Sequence, residues 1–184
     1  MNKKKIIIGI FSVAVFIGIY TNACIYQSRK YPDPVFESVE AGEEITFDEY
    51  KYNVIEAGFV KEEDVHRLWE KDIQSLEDVR VVYVRFELER IADMRDNSKT
   101  VQLSDFTLVT DTYNQAADLT RYAYFNSPEE MVKTHNNIGD KKEVCLIFTI
   151  PKIQFTDKQW DEMKISDFKL HISRYPVIKE IRLS

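Results

Sequence analysis

Three histidines and two cysteines are the residues of this chain with the widest chemical repertoire. His66, His135 and His171 stand on a predicted helix, loop and strand, and none has a second His or Cys at metal-ligand spacing. Cys145 stands in a predicted strand without a sequence partner that would mark it as a nucleophile, and the chain has no Gly-x-Ser-x-Gly elbow. The pattern therefore predicts a protein that is not an enzyme, with no catalytic residue, no metal site and no cofactor.

Acidic residues dominate the part of the chain that follows the apolar N-terminal segment. From Tyr31 onward the sequence holds 20 of the 25 Lys and Arg but all 31 Asp and Glu, a formal net charge of −11 against −6 for the whole chain. Nucleic-acid affinity depends on clustered Lys and Arg that neutralise phosphates. The charge therefore predicts no nucleic-acid partner.

Aromatic side chains form the best candidate contact surface. Trp69 lies on a helix predicted over residues 61–76, where apolar residues recur at helical spacing after an acidic first turn. An aromatic strand is predicted at residues 119–125, and it contains Tyr122 and Tyr124. Tyr113 lies shortly before it. Tyrosine buries a large area with few rotatable bonds, so it is favoured at binding surfaces. The simpler interpretation, in which alternate aromatics face the core, stays open.

The N-terminus carries a pattern typical of membrane insertion. Lys3, Lys4 and Lys5 precede an apolar stretch at residues 6–26, which as a helix is about 31 Å long and spans a ~30 Å hydrocarbon core. The flanking lysines are expected to stay in the cytoplasm, which places the remainder outside it. The sequence thus predicts a cytoplasmic tail at 1–5 and a transmembrane helix at 6–26.

Two alternatives to this uncleaved signal anchor remain open. Thr21 and Ala23 make an acceptable small-residue cleavage site, so residues 6–26 also fit a signal peptide of a secreted protein. Cleavage before Cys24 would instead leave a candidate lipidation site. All three alternatives put the rest of the chain outside the cytoplasm.

The remainder divides into a tether and one domain. Pro32, Pro34 and several glutamates predict an extended, solvated tether at residues 27–42. Residues 43–184 contain seven or eight short apolar-polar alternations separated by turn residues, with the helix at 61–76 inserted among them. This pattern predicts a mainly β protein, an antiparallel β-sandwich with one inserted helix.

The order of several short motifs resembles a known domain family. Phe86-Glu87-Leu88 closes a long strand, Asp105-Phe106-Thr107-Leu108 starts another, and an apolar strand ends at Pro151, after which come Phe168-Lys169-Leu170 and Ile181-Arg182-Leu183. Residues 43–184 resemble the telokin-like, immunoglobulin-like domain of unknown function found in membrane-anchored and lipid-anchored proteins of Gram-positive bacteria. The resemblance implies an extracytoplasmic immunoglobulin-like β-sandwich and supplies no catalytic residue.

These observations favour a membrane-tethered extracytoplasmic protein that acts through contacts with an unknown protein partner at the cell envelope. The alternative is a domain that senses a small ligand or a glycan. That alternative predicts a concave pocket between the helix at 61–76 and the aromatic strand, lined by Trp69 and tyrosines.

Overall fold

The computed structural model describes residues 3–61, 63–65, 79–92, 101, 103–126 and 137–184, with side chains from residue 13 onward. The chain divides into two compact units, Met1–Val35 and Phe36–Ser184. In chain order the described helices and strands are α1 (Lys3–Lys30), β1 (Val35–Glu40), β2 (Glu44–Phe47), β3 (Tyr50–Phe59), β4 (Val79–Arg90), β5 (Thr107–Val109), β6 (Asn114–Ala116), α2 (Leu119–Phe125), β7 (Lys141–Pro151), α3 (Asp157–Glu162), β8 (Lys169–His171) and β9 (Val177–Arg182).

The N-terminal unit consists mainly of the helix α1. Two polar residues inside its apolar stretch bond to the helix backbone, since Thr21 donates to the carbonyl of Ile17 and Asn22 to that of Gly18. Arg29 and Lys30 occupy the last turn, where cations complement the helix dipole. Among the residues that the structure describes, no helix meets the length and apolarity needed for a membrane span.

Residues 35–40 of the predicted tether form strand β1, which belongs to the second unit from Phe36 onward. The strand lies at the edge of a sheet beside β9, and the next residue continues the pairing with a bond from the Ala41 amide to the carbonyl of Arg182. Its side chains are almost all exposed, and Val39 alone among the six is partly buried. A strand paired through its backbone at a sheet edge needs few apolar residues, and for this reason its composition resembles that of a linker.

Two sheets form the second unit. The pairings β2-β3, β3-β4, β4-β7, β5-β6, β5-β8 and β8-β9 are antiparallel, whereas β1 runs parallel to β9, because Glu37, Ser38 and Glu40 contact Lys179, Glu180 and Arg182 in the same order. The four-stranded sheet has the order β2-β3-β4-β7 and the five-stranded sheet the order β1-β9-β8-β5-β6. One cluster of buried side chains joins the inner faces of both sheets. The predicted mainly β sandwich is therefore confirmed, with nine strands in the described part of the chain.

In strand β4 the apolar and polar residues alternate along the sequence, and their side chains alternate between the two faces of the sheet in the same way. Val82, Val84, Phe86 and Leu88 are fully buried between the sheets. Arg85, between them, is exposed on the outer face. The period of two thus fixes which side chains of β4 build the core and which stand outside.

A break in the alternation at Asp48 and Glu49 predicts a turn, and the structure has one there. Phe47 pairs with Tyr50, so β2 and β3 form a hairpin with a two-residue loop. Asp48 has φ of 50°, in the left-handed region that Asp adopts more readily than most residues.

Two similar five-residue segments begin paired strands. A short 3-10 turn precedes each strand and ends in the Ser-Asp pair, Ser104-Asp105 in one case and Ser166-Asp167 in the other. The residue that follows each turn, Phe106 or Phe168, is buried in the core. β5 and β8 then pair with Leu108 opposite Leu170, both buried. The repeated pattern marks two neighbouring strand starts.

The predicted aromatic strand at residues 119–125 is wrong, because this segment is the helix α2. Asp118 caps its first turn by accepting from the amide of Arg121. Tyr122 and Phe125 are three residues apart and so share one helix face, which packs against strand residues. Aromatic residues suit a strand by propensity, but this cap and the packing outweigh that preference.

Candidate binding groove

The structure separates the aromatic residues that the sequence singles out. Tyr113 packs its ring 5.0 Å from that of Phe155 between centroids, and burial raises its pKa to about 12. Tyr122 is 5% exposed and belongs to the core. Tyr124 is 62% exposed on α2, whereas Trp69 lies outside the described residues. The candidate lipidation site Cys24 is exposed on α1.

A groove of about 370 Å³ lies on the outer face of the four-stranded sheet, and Tyr124 lines it. Its floor is formed by residues of β3, β4 and β7, and its two walls come from the segment after β3 and from the end of α2. The lining residues are Glu56, Phe59, Tyr83, Arg85 and Cys145 on the sheet, Val60, Lys61 and Asp64 on the first wall, and Tyr124 and Phe125 on the second.

Strand register places the floor residues next to one another. Arg85 at the centre of β4 is opposite Glu56 on β3 and opposite Cys145 on β7. A bulge between Val54 and Glu56 shifts the register of β3. The bulge changes the outward positions of β3 from odd-numbered to even-numbered residues, so Glu56 and Gly58 lie on the outer face opposite Arg85 and Tyr83.

A second apolar cluster beneath the groove holds the walls to the sheet. Val65, Val81, Cys145 and Ile147 are buried there, and Phe125 packs against them. Residues 63–65 are helical, so this part of the predicted helix at 61–76 lies over the sheet, and residues 66–76 lie outside the described residues. Side chains therefore cover both faces of the four-stranded sheet at this point. The sequence signal for this burial is the near-continuous run of apolar residues in β7, since a strand buried on only one face would alternate.

Hydrogen bonds fix the α2 wall to the edge of β7. The amide of Asp118 donates to the carbonyl of Ile147 at 2.7 Å, and the Thr149 hydroxyl donates to the Asp118 carboxylate at 2.8 Å. At the other end of α2, Asn126 accepts from the Cys145 amide and donates to its carbonyl, both at 2.8 Å. The segment therefore satisfies the edge of β7 in place of a further strand.

Gly58 shapes the groove floor. A Cβ atom on Gly58 would lie 3.0 Å from the hydroxyl oxygen of Tyr83 and 3.1 Å from its ring, so glycine leaves the room in which this ring lies across β3 without crowding. In that position the Tyr83 hydroxyl donates to Oε1 of Glu56 at 2.7 Å. This bond and burial raise the pKa of Tyr83.

Two cations of the groove have free donors. Arg85 and Lys61 are exposed, and neither side chain makes a hydrogen bond or ion pair with another residue in the described part of the chain. Glu56, the cross-strand neighbour of Arg85, is instead engaged by Tyr83. The groove can therefore offer guanidinium and ammonium donors beside aromatic surface.

A second, larger cavity of about 780 Å³ lies at the β5–β6 loop and α3. Its rim is acidic, with Asp111, Asp161, Glu162 and Asp167, and Phe155 and Phe168 are among its apolar residues. Within the ranges that the structure describes, no group of three or more His, Cys, Asp or Glu is placed to hold a metal ion.

The outer face of the five-stranded sheet carries a polar cluster around Glu180. Its side chain accepts from the Ser38 hydroxyl at 2.5 Å and lies 3.3 Å from Nε2 of His171 and 3.5 Å from Nζ of Lys169. Burial alone would raise the pKa of Glu180, but the Ser38 bond and the neighbouring positive charges outweigh it and lower the pKa. Burial lowers the pKa of His171, against the opposing effect of Glu180.

No protein-family model and no curated protein sequence matches this chain. Three solved structures are similar to it, all of proteins from Gram-positive bacteria. They are a functionally unknown protein from Listeria monocytogenes EGD-e (9% identity, TM-score 0.44, covering 72% of this chain and 71% of that one), a "putative lipoprotein" from Staphylococcus aureus (12%, 0.44, 78% and 90%), and an uncharacterized beta-sandwich protein from Clostridium difficile 630 (14%, 0.39, 84% and 96%).

Proposed function

We propose that this chain is a non-enzymatic binding domain of the cell envelope, which contacts a partner protein through the groove on its four-stranded sheet. The observation that carries the proposal is the exposed ring of Tyr124, on a wall fixed to the sheet, in the same groove as the free donors of Arg85 on the floor. A rigid aromatic side chain next to an unpaired guanidinium is typical of residues that dominate the binding energy of protein interfaces. Because hydrogen bonds already fix the α2 wall to β7, binding against that wall costs little additional conformational entropy.

The proposal includes a location outside the cytoplasm. It rests on the basic N-terminus, the apolar residues 6–26 and the sequence resemblance to the telokin-like, immunoglobulin-like domains. Attachment through a membrane-spanning signal anchor and attachment through a lipid on Cys24 both fit this sequence, as does release after signal cleavage. Growth with a labelled fatty acid distinguishes them, since only lipidation gives label that Cys24→Ala abolishes, and the mass of the mature chain separates the other two.

A second candidate function is the sensing of a small ligand or a glycan. The volume of the groove favours it, because about 370 Å³ falls within the range of small-molecule sites. The groove also lies where the sequence places such a pocket, beside the start of the helix at 61–76 and the segment at 119–125.

Capture of a partner from envelope extracts tests the leading proposal. The intact chain is immobilised in parallel with Tyr124→Ala and with Ile153→Ala, which truncates an exposed apolar residue outside the groove. A protein retained by the wild type and by Ile153→Ala, but weakened at least tenfold by Tyr124→Ala, is the expected result. Equal retention by all three variants contradicts the groove as the contact site.

A further inference from the structure

We propose that the groove recognises a carboxylate carried next to an apolar or aromatic side chain on a peptide segment of the partner. This inference rests on the proposed function and names the chemistry of the partner. It follows from three features of the floor and walls: the free cations, the engaged carboxylate and the open aromatic rim.

The free cations supply the polar half of the recognition. Arg85 stands at the centre of the floor, with Lys61 on the adjoining wall. A guanidinium presents paired N–H donors that match the two oxygens of a carboxylate, and its bonds to an anion are stronger than those between neutral groups. From Tyr31 onward the chain carries a formal net charge of −11, which repels anionic groups in general. Local cations such as Arg85 and Lys61 are therefore the places where an anionic group of a partner is attracted.

Among the described residues, the carboxylates of the groove form no ion pair with these cations. Glu56 is the residue directly opposite Arg85 and would be its natural cross-strand partner. The Tyr83 hydroxyl, whose ring lies against Gly58, donates to one oxygen of that carboxylate. Asp64, the other carboxylate of the lining, also has an interaction partner. Arg85 therefore stays available to an outside anion.

The aromatic rim supplies the apolar half and favours a peptide over a free small molecule. Tyr124 is largely exposed, and Arg85 and Lys61 are exposed as well, so the groove leaves an occupant open to solvent on one side. Small-molecule sites enclose most of the surface of their ligand. An open groove instead suits two neighbouring side chains that project from a larger partner.

Titration of the intact chain with short peptides tests the proposal. The probes are the capped peptides Gly-Phe-Glu-Gly and Gly-Phe-Gln-Gly, which differ only in the carboxylate, and phenylacetate as the free acid. The Glu peptide is expected to bind at least about tenfold more tightly than the Gln peptide, with amide NMR shifts confined to the groove. Arg85→Ala should abolish that preference, whereas Arg174→Ala, an equal loss of charge on the β8–β9 loop, should leave it unchanged.

A second set of variants tests the part played by Tyr83. Tyr83→Phe removes only the hydroxyl and releases Glu56 to pair with Arg85, so we expect the Glu peptide to bind about two- to fivefold more weakly. In a Glu56→Gln background the same substitution should have no effect, because no carboxylate remains to compete. Equal effects in both backgrounds would contradict the mechanism.

The outcomes separate this inference from the proposed function. Equal binding of the Glu and Gln peptides, no binding of either, or tighter binding of phenylacetate than of the Glu peptide overturns the carboxylate-bearing peptide as occupant. If envelope capture nevertheless depends on Tyr124, the groove remains a contact site for other chemistry. If capture is independent of Tyr124, the proposed function itself fails.

Discussion

At the scale of single residues, Glu180 shows how a charged group is kept beneath the surface of a sheet. It is 3% exposed on β9, with Ser38 of β1 and His171 and Lys169 of β8 around its carboxylate. The ring of Phe36 meets that of His171 edge-on at 6.4 Å between centroids. A buried carboxylate is tolerated only with such partners, because an unpaired charge away from water is costly.

This cluster predicts that the domain loses stability as the pH falls. His171 has a lowered pKa in the fold, so below its ordinary pKa of about 6.5 the unfolded chain binds the proton more readily, and stability declines. Glu180 also has a lowered pKa, so the charged Glu180 stabilises the fold above pH 4.5. That stabilisation is lost as the pH falls below about 4.5. Urea unfolding at pH 7, 5.5 and 4.5 measures the decline. His171→Gln should flatten the step between pH 7 and 5.5, and an unchanged step would contradict this assignment.

Gly58 allows a second prediction at the same scale. In Gly58→Ala the new methyl group would press on the Tyr83 hydroxyl and ring, so the ring must shift by a few tenths of an ångström and its bond to Glu56 is strained. We expect the pKa of Tyr83 to fall toward its ordinary value of about 10, since its hydrogen bond to Glu56 is the main cause that raises it. NMR titration of tyrosine ring carbons, assigned with Tyr83→Phe, measures this pKa. A value unchanged from the wild type would show that the ring keeps its place.

At the scale of elements, α2 protects the edge of the four-stranded sheet. An edge strand exposes unpaired amides and carbonyls that can pair with another chain. Here the segment 118–126 runs along β7, and its two ends bond to that strand through Asp118 and Asn126. Asn126 also donates to the carbonyl of Tyr122, so one buried amide joins the last turn of the helix to the strand.

Asn126→Ala should therefore destabilise the domain by about 2–3 kcal/mol, because it removes three buried hydrogen bonds and leaves strand groups to be desolvated without those partners. Denaturant unfolding measures the change. Asn114→Ala, at an exposed position of β6, serves as the control and should stay within about 0.5 kcal/mol of the wild type. A similar effect of both substitutions would contradict the role of Asn126.

The accuracy of sequence prediction differed between elements for physical reasons. Strands with one side in the core, such as β4, are predictable because alternation directly records burial. Segment 119–125 was not, since its aromatic residues favour a strand. The Asp118 cap is a local helix signal, but the bonds and packing that hold the helix against β7 come from residues distant in the sequence. The sequence singles out Tyr124 and the neighbourhood of the helix at 61–76, and their part in binding stays a prediction. Arg85 and Glu56 became candidates once the register and the Gly58–Tyr83 contact were known.

At the scale of the whole molecule, the position of β1 determines where the folded domain begins. Residues 35–40 were predicted as tether, but their strand bonds to the domain through side chains as well as backbone. Glu37 pairs with Lys179 at 2.7 Å, Glu40 with Arg182 at 3.1 Å, and Ser38 donates to the buried Glu180. The first two pairs are at the surface and contribute little, whereas the bond to a buried carboxylate contributes more.

Two truncations test this boundary. A chain of residues 31–184 retains β1 and every residue of the main core, which begins at Val39, so its melting temperature should lie within about 2 °C of that of the intact chain. A chain of residues 43–184 lacks β1, and Glu180 then loses the Ser38 hydroxyl while β9 becomes an edge. We expect it to be less stable by about 2 kcal/mol, as measured by urea unfolding. The variant Ser38→Ala in the longer chain separates the two contributions, since it removes the hydroxyl but keeps the strand. Equal stability of the two truncated chains would show that the domain begins after β1 and that residues 35–40 act as a tether.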